Sequence, residues 1–180
     1  LTHLLSENIC NYFNDKAETN CINVRLSNSY GSPVFSESNC WWLVINDFCK
    51  RAFEEKYIKL LSDGSPQRDF IHGDDVMRAI EILIEHQNNI KDNVFHIASG
   101  QTVTILEIAK AVKSIYKKQY NYDIPILLPD DISSKVAEES SNKLKYIVDN
   151  SRLKTLGFTP KTDLGMGLNE VFDYLERNNE

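Results

Sequence analysis

Short apolar runs of strand character alternate with longer runs of helical period along much of this chain. No other feature limits its fold as tightly. A strand leading through a helix to another strand builds a parallel sheet with helices on its faces, so the alternation implies an α/β architecture. The strand-like runs are Cys21–Ser27, Tyr57–Leu61, Asp69–His72, Val94–Ala98, Ile124–Leu128 and a shorter one at Tyr146–Val148. Between them, Leu4, Leu5, Ile9, Tyr12 and Phe13 fall on one face of a helix over 2–16, and Trp41–Glu55 reads as a second helix. From Asp74 onward Val76, Ala79, Ile80, Leu83 and Ile84 recur at helical spacing. Ile105, Ile108, Ala109, Val112 and Ile115 do the same, as do Leu164, Leu168, Val171, Phe172 and Leu175.

Local chemistry marks where these elements stop and start. Asp74 and Asp75 suit a helix N-terminus by capping and by the helix dipole. Thr104-Ile-Leu-Glu107 is a capping box, and Asp163 suits the cap of the last helix. Gly157 stops a short helix over 150–156, and Ser62-Asp63-Gly64-Ser65-Pro66 is a turn. Residues 130–143 have no clear period and read as a loop. Trp41 and Trp42 cannot share one helix face, so one is expected in the core and the other as a lid or stacking surface.

Charge and cysteine usage remove several function classes. The 26 acidic residues outnumber the 20 basic ones, for a net charge of -6. Such a surface repels phosphate backbones, although one or two placed cations suffice for a small nucleotide. The longest apolar run, Cys40–Ile45, is far too short to span a membrane. Cys10, Cys21, Cys40 and Cys49 contain no C-x-x-C pair, so reduced thiols are expected, in a cytoplasmic protein. His3, His72, His86 and His96 are scattered without metal-ligand spacing, so no metal site is expected; His96 reads as a packed, hydrogen-bonded strand residue. G-x-G-x-x-G, G-x-x-x-x-G-K-[ST] and G-x-S-x-G are absent from the sequence. The chain opens on Leu inside a helical pattern with no cap before it, which suggests a piece of something longer.

Two polar features could carry binding. Ser27-Asn28-Ser29-Tyr30-Gly31 forms a turn at the end of a strand, where α/β sheets meet their ligands. Asn28 could equally satisfy its own turn. In Gly64-Ser-Pro-Gln-Arg68-Asp69-Phe70-Ile71-His72, Arg68 could present a guanidinium fork to phosphate or carboxylate oxygens. It could equally make a surface pair with Asp69 or Asp75.

In order and spacing, four motifs resemble the extended short-chain dehydrogenase/reductases, the NAD-dependent nucleotide-sugar epimerases and dehydratases. Arg25-Leu-Ser-Asn28-Ser-Tyr30-Gly31-Ser-Pro33 is similar to their R-x-x-N-x-Y-G-P. The run from Asp63-Gly64 through Arg68-Asp69-Phe70-Ile71-His72 to Asp75-Val76 is similar to D-G-x-x-x-R-D-F-[IV]-[HY]-V-x-D-[VL]. Val94–Gly100 resembles their [VY]-[FY]-N-[IL]-G-x-G strand, and Asp149–Pro160 their D-x-S-[KR]-[AL]-x-x-x-L-G-[FW]-x-P.

The resemblance implies the C-terminal, substrate-binding half of a Rossmann-like fold. Residues 1–35 and 74–120 would end the dinucleotide-binding domain, interleaved with a small mixed substrate lobe at 36–73 and 121–180. The Gly-rich loop for NAD or NADP would lie upstream, as would the catalytic Tyr, about two residues before Leu1. His3 stands where the family has a Lys that holds the nicotinamide ribose and lowers the Tyr pKa. A histidine, with an ordinary pKa near 6.5, is mostly neutral at pH 7 and would activate the Tyr less. His3, Leu26 and Ser27 would approach the cofactor. Asn28 and Arg68 would bind a substrate diphosphate, Trp42 the sugar, and Lys59 and Leu60 would lie near the nucleotide base. The acidic run Ala137–Ser141 replaces a second Arg of many relatives. The implied activity is hydride transfer to and from nicotinamide on a nucleotide-diphosphate sugar, in a homodimeric full-length protein, with the piece inactive alone. The alternative is a family member that binds nucleotide or cofactor with impaired catalysis.

Overall fold

The computed structural model describes residues 1–16, 20–35, 37–90, 93–129 and 146–178. In order the elements are α1 (Thr2–Lys16), β1 (Asn23–Leu26), β2 (Asn28–Tyr30), α2 (Val44–Glu54), β3 (Ile58–Lys59), β4 (Gln67–His72) and α3 (Gly73–His86). They continue with β5 (Val94–Ile97), β6 (Thr102–Thr104), α4 (Ile105–Tyr120), β7 (Ile126–Leu127), α5 (Ser151–Thr155) and α6 (Leu164–Arg177). The class is α/β, as the alternation implies. No described helix is long and apolar enough to cross a membrane.

Among the described residues the strands form three small sheets. β1 pairs with β5 in parallel, Asn23 facing Val94 and Leu26 facing Ile97. β4 is the centre of a second sheet, parallel to β2 and antiparallel to β6. β3 and β7 form a third, parallel pair. Two chain segments pass from the first sheet to the second at the same level. β1 becomes β2 across the single residue Ser27, and β5 becomes β6 across residues 98–101. β4 lies between the two arrivals.

Apolar burial is divided between two clusters. The larger gathers Ile45, Phe48 and Ala52 of α2, Ile108, Ala109 and Val112 of α4, and Leu168, Val171 and Phe172 of α6. The smaller joins Ile71, Ala79, Leu83, Phe95, Ile97, Leu153 and Phe158. Thus α4 packs with α2 and α6, while α5 packs beneath β5. The three helices have their apolar residues at i, i+3 and i+4, and a stripe of that kind is what each buries. α1 differs: its apolar face is present in sequence, yet none of its residues is buried.

Several elements depart from the sequence reading. The predicted turn at Asn28–Tyr30 is strand β2, because its backbone finds a partner in β4, distant in sequence. Tyr146–Val148 forms no strand. Helix α2 starts at Val44, not Trp41. The cap of α3 is His72, whose Nδ1 accepts from the Asp74 N–H at 3.3 Å. Asp74 and Asp75 occupy the first turn instead, where the dipole favours them. Asp75 is buried and accepts from the Lys161 and Thr162 N–H groups at 2.8 and 3.0 Å, besides pairing with Arg78. The capping box at Thr104 and the Asp163 cap both form. The loop expected over 130–143, with Ala137–Ser141, lies outside the described residues.

Candidate functional site

The carboxyl ends of β1 and β5 meet at one buried carboxylate. Asp69 of β4 is 1% exposed and receives five donors. Its Oδ1 accepts from Ser27 Oγ at 2.8 Å and the Ser99 N–H at 2.9 Å. Its Oδ2 accepts from Ser99 Oγ at 3.0 Å, the Gly100 N–H at 2.8 Å and the Gln101 N–H at 3.1 Å. Gly100 has φ +77°, a conformation that presents its N–H to the carboxylate and suits glycine. One side chain therefore fixes both crossings between the sheets. The sequence reading named Asp69 only as a possible surface partner of Arg68; its one local signal as a buried group is its place next to the apolar pair Phe70-Ile71.

Around this hub the expected site residues are distributed as follows. Asn28 is exposed, and its Nδ2 donates to the Asp69 carbonyl at 3.0 Å. It stands opposite Phe70 in a parallel pair, and Arg68 lies two residues before Phe70. Alternation puts Asn28, Phe70 and Arg68 on one face of the sheet, with Asn28 and Arg68 about 8 Å apart at Cα by strand spacing and rise. Arg68 is exposed, and its Nη1 donates to the Gln67 carbonyl at 2.7 Å. The alternative pairings do not form, since Asp69 serves the hub and Asp75 holds the loop between α5 and α6. Beside Asn28, the same face carries a cavity of about 220 Å³ walled by Tyr30, Phe70 and Val103, with Lys161 and Asp163 opposite.

Leu26 is exposed at the end of β1, whose only strand partner among the described residues is β5. The Ser27 N–H is bound to the Ile97 carbonyl at 3.0 Å. His3 lies exposed in the first turn of α1, four residues before Glu7. Glu7 accepts Arg25 of β1 through both carboxylate oxygens at 2.8 Å. That contact holds the Glu7 carboxyl below its ordinary value and fastens α1 to the sheet.

The remaining candidates lie elsewhere. Lys59 is exposed on β3, whereas the Leu60 side chain is in the core and its N–H bonds the Leu127 carbonyl at 2.9 Å. Both tryptophans precede α2: Trp41 is partly buried against the larger cluster near Tyr174, and Trp42 is 73% exposed with Nε1 donating to the Asn39 carbonyl. His96 is partly buried, its Nδ1 2.9 Å from the Asp149 carbonyl oxygen. His72, Asp74 and Glu170 do come together, a group the spacing did not suggest. Nδ1 of His72 is taken by the helix cap, and Nε2 lies 2.8 Å from Glu170 Oε2. Both ring nitrogens thus face protein groups.

Comparison with known proteins places this arrangement. The sequence profile of the family described as "NAD dependent epimerase/dehydratase family" matches residues 1–98. The chain is 32% identical over 115 residues to GDP-L-fucose synthase 1 of Arabidopsis thaliana, covering 64% of this chain and 32% of that protein. It is 27% identical over 170 residues to dTDP-L-rhamnose 4-epimerase of Burkholderia thailandensis, covering 94% of this chain and 44% of that one. Among solved structures, UDP-glucose 4-epimerase of Thermotoga maritima with UDP-glucose superposes with a TM-score of 0.71 at 24% identity. That match covers 98% of this chain and 52% of the other, so the folds agree. UDP-glucuronic acid 4-epimerase of Bacillus cereus, solved with NAD and a fluorinated UDP-sugar, gives 0.68 at 21% identity over 97% of this chain and 51% of the other. The chain spans about a third of the first relative's length and about half of each solved chain.

Proposed function

Because this chain belongs to the NAD dependent epimerase/dehydratase family, we propose that it supplies the substrate-binding half of an NAD(P)-dependent nucleotide-sugar epimerase or dehydratase. The observation that carries the reading is the placement of Asn28 and Arg68. Both are exposed, on adjacent strands and one sheet face, beside the point where β1 leaves its sheet. The two side chains could both reach one pyrophosphate lying between them. It would take the guanidinium fork from Arg68 and an amide N–H from Asn28. Among the described residues Arg68 has little to give up for this, a bond to its neighbour's carbonyl.

The other roles follow by position. Trp42 offers an exposed ring to the sugar, and Lys59 a cation near the base, with Leu60 contributing backbone only. His3, Leu26 and Ser27 would hold the nicotinamide end of the cofactor, at the exposed end of β1. The bound nicotinamide supplies reversible uptake of hydride from a sugar carbon. A tyrosine preceding this chain would take the hydroxyl proton, and His3 would orient it and bond the ribose. Residues 1–35 and 74–120 would serve the cofactor side, 36–73 and 121–180 the substrate side. The full-length protein would work in the cytoplasm and pair as a homodimer through the exposed face of α1.

The second reading, binding with impaired catalysis, is favoured by His3 at the usual Lys position. One experiment separates the two. Full-length protein is incubated with NAD and a panel of nucleotide sugars, following reduced nicotinamide by absorbance and sugar identity by chromatography. Conversion of one sugar, with affinity lost in Arg68→Ala, supports the enzyme. Saturable binding without conversion supports the second reading, and absence of binding across the panel overturns both.

A further inference from the structure

Ser27, Asn28, Arg68 and Asp69 are locked together where β1 passes into β2 beside β4. Two consecutive residues of the first segment grip a single residue of the second. Ser27 Oγ donates to Asp69 Oδ1 at 2.8 Å, and Asn28 Nδ2 donates to the Asp69 carbonyl at 3.0 Å. Arg68 directly precedes Asp69, and strand alternation sends its side chain to the opposite face of the sheet from the Asp69 carboxylate. This inference rests on the proposed function, in which Leu26 and Ser27 hold the cofactor end while Asn28 and Arg68 hold the diphosphate. The Asp69 side chain is open to neither ligand. It is 1% exposed, and protein donors occupy both of its oxygens.

We propose that Asp69 is a positioning residue: its carboxylate sets the distance between nicotinamide and sugar by holding the end of β1 against the strand that carries Arg68. The choice of a carboxylate separates placement from affinity. A negative charge one residue from Arg68 repels a diphosphate and so works against the grip on the substrate. What the carboxylate supplies is acceptor capacity. Its two oxygens take Ser27 from the crossing between β1 and β2, and Ser99, Gly100 and Gln101 from the crossing between β5 and β6. An amide at this position has one acceptor oxygen and cannot satisfy the same donors. In Asp69→Asn the two crossings are therefore no longer held to one point on β4, although Arg68 and Asn28 keep their own groups. Hydride transfer needs the donor and acceptor carbons aligned, and a misplacement of about 1 Å can cost about 100-fold in rate. The loss then falls on turnover, while each ligand bound alone keeps its affinity.

The test uses full-length protein as wild type, Asp69→Asn and Ser27→Ala, at a temperature where circular dichroism shows each variant folded. Calorimetry gives the dissociation constants of NAD and of the nucleotide sugar that wild type converts, and sugar conversion gives kcat. Asp69→Asn should lower kcat about 10- to 100-fold. Its NAD affinity should stay within about twofold of wild type, and its affinity for the nucleotide sugar should be equal or tighter. Ser27→Ala removes one tie and keeps the backbone, so kcat should fall by less and NAD affinity should hold; it carries the test alone if Asp69→Asn does not fold. An unchanged kcat in the folded variants would overturn the positioning role. So would a fall in kcat matched by weaker binding of either ligand, which would mark a general loss of the site. In a wild type that binds both ligands without converting sugar, the readout is the effect of bound NAD on nucleotide-sugar affinity. That effect should vanish in Asp69→Asn; its absence from wild type, or its persistence in the variant, would overturn the inference. A wild type that binds neither ligand overturns the proposed function itself, and this inference with it.

Discussion

Asp69→Asn is the most informative single change, because it keeps the volume and removes the charge of a carboxylate that five donors share. The amide oxygen would settle at the Oδ2 position, where three donors wait: Ser99 Oγ and the Gly100 and Gln101 N–H groups. The new NH2 would then occupy the Oδ1 position. Ser27 Oγ can turn and accept from it, but the Ser99 N–H cannot and is left facing another donor. One contact is therefore lost outright, and the remaining ones lose their charge assistance. A hydrogen bond to a charged group contributes about 1.5–3 kcal/mol, and a buried donor left unpaired costs a similar amount. A net loss of about 2–3 kcal/mol follows. In urea, with a slope near ~2 kcal/mol/M, the unfolding midpoint should fall by roughly 1–1.5 M at unchanged slope. The measurement is equilibrium unfolding of full-length protein by circular dichroism and tryptophan fluorescence. A midpoint shift below about 0.3 M would refute the view that this carboxylate holds the two crossings.

Other changes probe packing, pairing and the site. Gly167→Ala would gain about 1 kcal/mol of helix propensity in α6, but its Cβ would stand 2.6 Å from the Tyr30 hydroxyl oxygen and 2.9 Å from His72 Cδ2. Overpacking wins, and a net loss of about 1–2 kcal/mol is expected in the same unfolding assay. Arg25→Gln removes the partner that depresses Glu7. A carboxyl lowered in the folded state stabilises above its ordinary value of 4.5 and loses that contribution as pH falls through the folded value. The variant should be less stable than wild type at neutral pH, and the gap should close in acid; a gap independent of pH would contradict the pairing. Under the proposed function, His3→Lys should raise steady-state sugar conversion by the full-length protein at neutral pH, and no gain or a loss would reject the proposed role of His3.

What could be read from the sequence was what is local. The Thr104–Glu107 box and the Asp163 cap formed as expected because each depends on residues three apart. Helices α3, α4 and α6 followed their apolar stripes for the same reason. The misses are non-local. Asn28-Ser-Tyr30 has turn composition and becomes a strand only because β4 lies alongside. Tyr146–Val148 has strand composition and finds no ladder. The Asp69 hub was invisible because its donors come from Ser27 and from residues 99–101, distant from Asp69 in sequence and from each other. Family resemblance implied roles for Arg68 and Asn28, but not for the neighbouring carboxylate on β4, Asp69, that ties the two crossings together.

The same ties bear on the role proposed for His3. A weakened site can arise from a displaced helix or from the wrong chemical group on a well-placed one. Here α1 is fastened to β1 by the bidentate Glu7–Arg25 contact and by Asn14 on Cys21. β1 is in turn fastened to β4 through Ser27 and Asp69. β4 carries Arg68, and its Asp69 carbonyl receives Asn28. The chain of contacts runs unbroken from the helix that bears His3 to the residues proposed to grip the diphosphate. A substitution at position 3 therefore alters the group presented and leaves its placement to contacts four or more residues away. If Arg25→Gln lowered sugar affinity as well as stability, positional coupling along that path would be carrying the effect. If it lowered stability alone, the two ends of the path would be held independently, and any gain in His3→Lys would belong to the cation itself.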